Sequence, residues 1–154
     1  MTKATKAWNC CRWEQLDREQ LYAVLAARQA VFVVEQQCPY LDLDGLDVHC
    51  LHLWHADSAG QLLAYARLLP AGLHHAEASI GRVLTTAAGR GQGLGRELML
   101  ESIAQISRWQ IGQPLRIDAQ RYLEGFYGAL GFITAGEAFM LDGIEHVEML
   151  RAAD

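Results

Sequence analysis

The sequence predicts an α/β (α+β) domain built on a mixed, mainly antiparallel sheet flanked by helices. Three observations predict it. Short runs with a two-residue apolar alternation dominate the first half. A glycine-rich segment, Gly89-Arg90-Gly91-Gln92-Gly93-Leu94-Gly95, stands between a strand-like run and the longest helical pattern. Late in the chain, Asp142-Gly143 joins two apolar runs, a strong hairpin signal. The resulting order, β-α-β-β-β-α-β-α-β-β, places a βαβ unit in the middle of one sheet.

Taken in order, the first strand is expected over Ala7–Trp13. A helix follows, with Asp17 as its cap, Gln20 as capping-box partner and Leu16 with Leu21 as staple. Leu21, Leu25, Arg28 and Phe32 fall at helical spacing, and the pattern ends before Glu35-Gln36-Gln37-Cys38-Pro39-Tyr40. The acidic segment Leu41–Asp47 reads as a turn-rich loop. Strands are expected over Val48–Ala56 and Leu62–Leu69, joined by Asp57-Ser58-Ala59-Gly60 as a hairpin. A loop over Pro70–Glu77 precedes a fourth strand, Ser79–Thr86. The long helix begins at Leu94 and stops at Gly112 and Pro114. A short strand, Leu115–Ala119, a helix, Tyr122–Leu130, closed by Gly131 at C′, and the runs Phe132–Leu141 and Glu145–Arg151 complete the chain.

The 154 residues, 51% of them hydrophobic, are enough for one core, and residues 1–154 read as one domain. Thirteen basic against eighteen acidic residues give a net charge of −5, which argues against a nucleic-acid partner. No apolar run reaches the length of a membrane span, and the start lacks a signal-peptide apolar core. Cys10, Cys11, Cys38 and Cys50 form no C-x-x-C pair, so no metal site is expected from them. His49, His52 and His55 do not share a strand face, and His74-His75 falls in a loop. Together these features predict a cytoplasmic globular protein. Trp8, Trp13, Trp54 and Trp109 read as core or interface residues.

The glycine segment carries the most chemistry. Glycines let the main chain turn tightly and approach a ligand, and the first turn of the next helix offers free N–H groups to a phosphate. Arg90 and Arg96 flank the loop as candidate phosphate partners. Arg96-Glu97 replaces the Lys-Ser/Thr of a P-loop, and Arg96 or Leu94 stands where a dinucleotide fingerprint needs its third glycine.

Arg90-Gly91-Gln92-Gly93-Leu94-Gly95 resembles the Q/R-x-x-G-x-G/A signature of the GNAT superfamily of N-acetyltransferases. Phe126-Tyr127-Gly128-Ala129-Leu130-Gly131-Phe132 resembles that family's F-Y-x-x-x-G-F segment. The stretches Arg28–Gln36, Cys38-Pro39-Tyr40, Asp44-Gly45 with Asp47, Ala64–Arg67, Ile80–Val83 and Asp142-Gly143-Ile144 with His146 and Met149 are similar to its ElaA-like branch. The resemblance covers nearly the whole chain. It implies the GNAT-type acyl-CoA N-acyltransferase fold with a splayed central strand pair, acetyl-CoA as cosubstrate, and a small-molecule or peptide amine as acceptor; no metal is expected, because no short-spaced ligand pair stands out. The implied activity is direct acetyl transfer in a ternary complex. The rival is a non-catalytic coenzyme-binding or protein-interaction module with the same fold. A membrane partner is not expected, and the edge of the final hairpin suits a homodimer.

On that resemblance, the backbone of Gly91, Gln92, Gly93, Leu94, Gly95 and Arg96 holds the pyrophosphate. Val83, Leu84 and Thr85 pair with the pantetheine arm as with a further strand. Tyr127 matches the general acid, and Gln120 stands where many relatives place an asparagine on the cofactor. An alkyl ammonium, with a pKa of about 10.4, must lose a proton before it attacks. Glu35, Glu77, His52 and His146 are the candidate bases or acceptor-site residues. Asp42, Asp44 and Asp47 are candidates for drawing a cationic amine by long-range field.

Overall fold

The computed structural model describes residues 6–154. The reading of the first five residues therefore lies outside the described residues. Strand β1 (Asn9–Arg12) is shorter than expected, because Trp13–Gln15 turns into a single 3-10 turn. Helix α1 (Arg18–Arg28) starts where the capping box puts it. Asp17 Oδ1 accepts from the Gln20 N–H at 2.7 Å, and Gln20 Oε1 accepts from the Asp17 N–H at 3.0 Å.

The helix does not stop where its α-periodicity does. Gln29–Glu35 continues as π-helix, with the Gln36 N–H donating to the Val31 carbonyl. Three valines and a phenylalanine in succession, Val31–Val34, crowd the preceding turn, and a widened turn relieves that crowding.

Strands β2 (Leu51–Ala56), β3 (Leu62–Leu69) and β4 (Ser79–Thr85) join β1 in an antiparallel sheet of order β1-β2-β3-β4. The start of the expected Val48–Ala56 strand is instead a 3-10 turn over Asp47–His49. Strand β3 is buried along its whole length, so both its faces carry apolar residues. Helix α2 (Leu94–Trp109) covers one face of this sheet with Leu94, Leu98, Met99, Ile103 and Ile106. Helix α1 and its π-helical continuation cover the other, where Val24 and Val31 pack on Trp54, Tyr65 and Leu84. No described helix is long and apolar enough to cross a membrane.

Strand β5 (Leu115–Gln120) begins a second antiparallel sheet with β8 (Ile144–Arg151), to which β6 (Ile133–Thr134) and β7 (Phe139–Leu141) also pair. The single expected run Phe132–Leu141 is thus two short strands. Gly136, at φ +149°, breaks it, and the Ala135 N–H still reaches the Glu148 carbonyl. Asp142 and Gly143 both have positive φ, as a type I′ hairpin turn requires. The helix expected over Tyr122–Leu130 is a 3-10 turn, Arg121–Leu123, followed by the short α3 (Glu124–Gly128).

The expectation of one continuous sheet gives way to two sheets joined at a point. Strands β4 and β5 run parallel and touch through one bridge, Ala78 to Leu115, with the Arg116 N–H on the Ala78 carbonyl at 3.0 Å. Beyond it they splay apart. In β4 the register against β3 slips, leaving Arg82 and Val83 opposite Ala66. Arg82 sits at φ +51°, which marks a bulge, and a bulge bends and twists the strand that carries it.

An ion network braces the loop before β2. Arg28, almost without solvent exposure, bonds Asp42 at 2.9 Å and Asp47 at 2.6 Å. Arg67 bonds Asp44 at 2.8 Å and Asp47 at 3.0 Å, and Arg82 bonds Asp42 at 2.8 Å. Burial opposes ionisation of Asp44, but Arg67 holds its carboxyl down to about 2. Asp47 is likewise held below the usual carboxylate range, by Arg28 and Arg67 against its burial.

Two stability outcomes follow. Asp47→Ala takes one of two carboxylate partners from each of two buried guanidinium groups, leaving one positive charge uncompensated, and should cost about 3–5 kcal/mol in chemical denaturation. Because both folded carboxyl pKa values are depressed, the network's contribution is full above the unfolded value near 3.9 and fades as pH falls through about 2. Acid titration of wild type should show that loss, and the Asp47→Ala variant should show a smaller one. Separately, a Cβ on Gly89 would lie 2.3 Å from the Leu63 carbonyl oxygen. Gly89→Ala should therefore lower the denaturation midpoint by an overpacking cost of about 1–3 kcal/mol.

Candidate active site

The splay of β4 and β5 opens a cavity of about 300 Å³. Its walls come from both strands, the π-helical turn, the loop before β2, the β7–β8 hairpin and α3. Val83, Gln120 and Tyr127, separated widely in sequence, meet here. Leu84 instead points into the core beneath α1, and Thr85 ends the strand paired with Ala64. Of these three β4 residues, the structure thus brings only the Val83 side chain to the cavity.

Tyr127 is 8% exposed and packs edge-on to Phe126 and Phe132, with ring centroids 5.1 and 6.1 Å away. No hydrogen bond holds its hydroxyl among the described residues, while its ring lines the cavity. Burial pushes its pKa up to about 12. The phenol is therefore neutral at any ordinary pH and has a proton to donate. Gln120 reaches the cavity from the end of β5, where its side-chain amide donates to Gln36 at 3.4 Å.

The glycine loop leaves the end of β4 through a 3-10 turn, Ala87–Gly89, and does not itself line the cavity. Gly91 has φ +78° and Gly93, the N-cap of α2, has φ +72°. A Cβ at Gly91, Gly93 or Gly95 would meet no protein atom within 4 Å. The space beside these three backbones is open, so a ligand can approach the main chain there. The N-cap glycine supplies no side-chain acceptor to the first turn of α2, which leaves those N–H groups for an anion. Arg96 is exposed and has no ion-pair partner among the described residues. Arg90 is turned away to Glu35 at 2.6 Å and to the Thr85 carbonyl. The amide of Gln92 bonds the Ala88 carbonyl and pins the loop.

The candidate bases are dispersed. Glu35 pairs with Arg90 at the surface. Glu77 pairs with Arg116 at 2.7 Å, and that guanidinium holds its carboxyl below the usual range. His52 is 1% exposed, bonded to the Tyr65 hydroxyl at 2.7 Å and the Asp47 carbonyl at 2.9 Å. Burial lowers its pKa. None of these three lines the cavity, because each is spent on an internal partner. His146 does line it, with Nδ1 at 2.7 Å from the Ile144 carbonyl.

The acidic loop does not act as a free negative surface, contrary to expectation. Asp42, Asp44 and Asp47 are matched by Arg28, Arg67 and Arg82, so the loop's charge is cancelled at close range. These three arginines lie within the stretches that carry the family resemblance, but their pairing spans up to 40 residues and has no local signature. Two further cavity residues, His74 and Asp118, were not among the expected site residues. They come from a loop and a strand 44 residues apart and bond at 2.8 Å.

The comparisons agree with this geometry. The model of the acetyltransferase (GNAT) domain family matches residues 14–152. A crystal structure of an acyl-CoA N-acyltransferase from Pseudomonas aeruginosa superposes with a TM-score of 0.91 at 41% identity, covering 96% of this chain and all of that one. Protein ElaA of Escherichia coli is 39% identical over 149 residues, covering 94% of this chain and 95% of that protein. Its crystal structure gives a TM-score of 0.88. A UPF0039 protein of Synechocystis is 42% identical over 143 residues, 93% of each chain. The splayed strands, the open glycine loop and this likeness along nearly the whole length lead to one conclusion: the chain belongs to the GNAT acetyltransferase family and has the acyl-CoA N-acyltransferase fold.

Proposed function

We propose that the protein is an acetyl-CoA-dependent N-acetyltransferase that moves an acetyl group directly to a primary amine within a ternary complex. The observation that carries this reading is the wedge between β4 and β5. It leaves one edge of a strand unpaired, with the open glycine loop at its far end and the Tyr127 ring on its wall.

The residues present fit a coenzyme. Gly91, Gly93 and Gly95 leave room for a diphosphate against the main chain, and Arg96 adds an unpaired positive charge. The outer edge of β4 beside Val83 presents backbone groups that an extended amide-bearing arm satisfies as a neighbouring strand would. Gln120, on the facing strand, offers an amide from the opposite wall. When bound, acetyl-CoA would supply a thioester, whose acyl carbon accepts a nitrogen as its bond to sulfur breaks.

The chain's own groups then divide the work. A backbone N–H at the β4 bulge, which lies on the cavity wall, would stabilise negative charge on the thioester oxygen. The Tyr127 hydroxyl, kept protonated by burial, donates its proton toward the departing sulfur. The cavity is walled by polar groups from the Tyr40, Asp44 and His146 segments, which suits a small molecule or a peptide side chain bearing an amine. Cys38, which lines the cavity, has its S–H engaged on the Asp142 carbonyl at 3.1 Å. Cys10 and Cys50 are pushed up, to about 11 and about 12, chiefly by burial. Direct transfer therefore fits better than a thiolate relay.

Acetyl-CoA should raise the melting temperature of the protein and NADH should not; the reverse ranking overturns the assignment. Gly95→Val places a side chain in space that is open in the free protein, so the variant should fold but bind acetyl-CoA at least about tenfold more weakly by calorimetry. Tyr127→Phe should lower kcat by about 10²–10⁴-fold with acetyl-CoA affinity unchanged. A panel of amines, read by free-thiol release from acetyl-CoA, supplies the acceptor for that measurement. An unchanged kcat with chemistry limiting removes Tyr127 from the proton-donor role.

A further inference from the structure

On the cavity rim, His74, His75 and Asp118 converge. One donor atom from each lies within 4.8 Å of the other two. His74 Nε2 is 2.8 Å from Asp118 Oδ2, and His75 Nε2 is 3.2 Å from the same carboxylate. Adjacent histidines on an extended chain point to opposite sides. Here the loop before β4 turns back on itself, with Gly72 at φ +85° and its N–H on the His75 carbonyl at 2.8 Å. That turn brings both rings, with centroids 4.3 Å apart, to one carboxylate on β5.

A second observation bears on the same spot. Asp118 stands directly opposite Glu148 in the β5–β8 register. Like charges facing each other across strands are destabilising. Glu77 is tied into the same group through Arg116, which bridges it to Glu148. Arg116 thus bonds two of the three carboxylates, and Asp118 has no guanidinium partner among the described residues, so with neutral imidazoles the cluster lacks positive charge. The remaining ring nitrogen of His75, Nδ1, lies 4.0 Å from Glu148. At that distance the carboxylate makes no hydrogen bond, but its charge favours the proton on the nearer Nδ1 and so leaves the lone pair on Nε2.

We propose that His74 Nε2, His75 Nε2 and an Asp118 carboxylate oxygen form a binding site for a divalent transition-metal ion of the zinc class. Two imidazoles and one carboxylate are borderline ligands that suit zinc or cobalt and leave a coordination position open. His74 and Asp118 also line the cavity, so the completing ligand comes from that side, as water or as a nitrogen or oxygen atom of a small molecule. The expectation of no metal rested on ligand spacing in the sequence. That spacing hides a site whose third ligand lies 43 residues beyond the second. None of its ligands belongs to the glycine loop, and zinc binding is measured without coenzyme, so this proposal and the coenzyme reading fail separately.

Zinc alone, titrated calorimetrically into chelator-stripped, reduced protein, tests it. One equivalent should bind with a Kd of about 10 µM or tighter, and the melting temperature should rise. His75→Ala and Asp118→Asn should each weaken binding at least about tenfold, while His49→Ala, at an exposed histidine outside the cluster, should not. Cobalt in the wild-type protein should give visible bands without thiolate charge transfer, a readout that needs no variant to fold. No binding at about 100 µM, affinity unchanged in both cluster variants, or a thiolate spectrum overturns the proposal. In that case the cluster is a hydrogen-bonded ion triad only.

Discussion

Strands β4 and β5 meet at one bridge and then part, and the rest of the molecule is organised around keeping them apart. A parallel pair would ordinarily close along its length, since each unpaired backbone group in a dry interior is costly. Here closure is opposed from several sides. The bulge at Arg82 twists β4 away from β5. Ile117 on β5, Met99 on α2 and Tyr127 on α3 wall the space that opens. The hairpin β7–β8 closes the far side, with its turn and His146 facing in. The gap is thus a property of the whole fold, and the groups exposed along it are those a ligand must satisfy.

The Arg–Asp network does for the cavity floor what the bulge does for its wall. Six charged groups from α1, the following loop, β3 and β4 are cross-linked within about one coordination layer. Replacing such a network by apolar residues need not weaken a protein, but removing one member leaves a buried charge uncompensated. Its cancellation is also a functional fact. With Asp42, Asp44 and Asp47 matched by arginines, the acidic loop presents little field to an approaching amine. On the proposed reading, recognition of an amine acceptor would be left to short-range contacts inside the cavity.

Two kinds of polar chemistry therefore face one cavity. Tyr127 on α3 keeps its proton because burial disfavours the phenolate. The histidine–aspartate cluster joins β5 to the loop before β4. Burial of Asp118 opposes its ionisation, yet hydrogen bonding from His74 and the nearby imidazoles hold it below the usual range. The phenol is suited to giving a proton and the cluster to holding positive charge.

Local rules were legible in the sequence. The capping box placed the start of α1, the alternation of Leu62–Leu69 fixed β3 to the residue, and Leu94 and Trp109 bounded α2 as the periodicity and stop signals required. The glycine loop and the segment around Tyr127 were legible because each packs its chemistry into a few consecutive residues. What depended on distant partners was not. The π-helical turn after Arg28 arises from β-branched crowding that periodicity alone does not report. The pairing of Asp42, Asp44 and Asp47 with Arg28, Arg67 and Arg82, the burial of His52 and the meeting of His74 and His75 with Asp118 were decided only by tertiary structure. Backbone preferences and short motifs act over a few residues, whereas the environment of a charge is set by whichever strands the chain's path brings beside it.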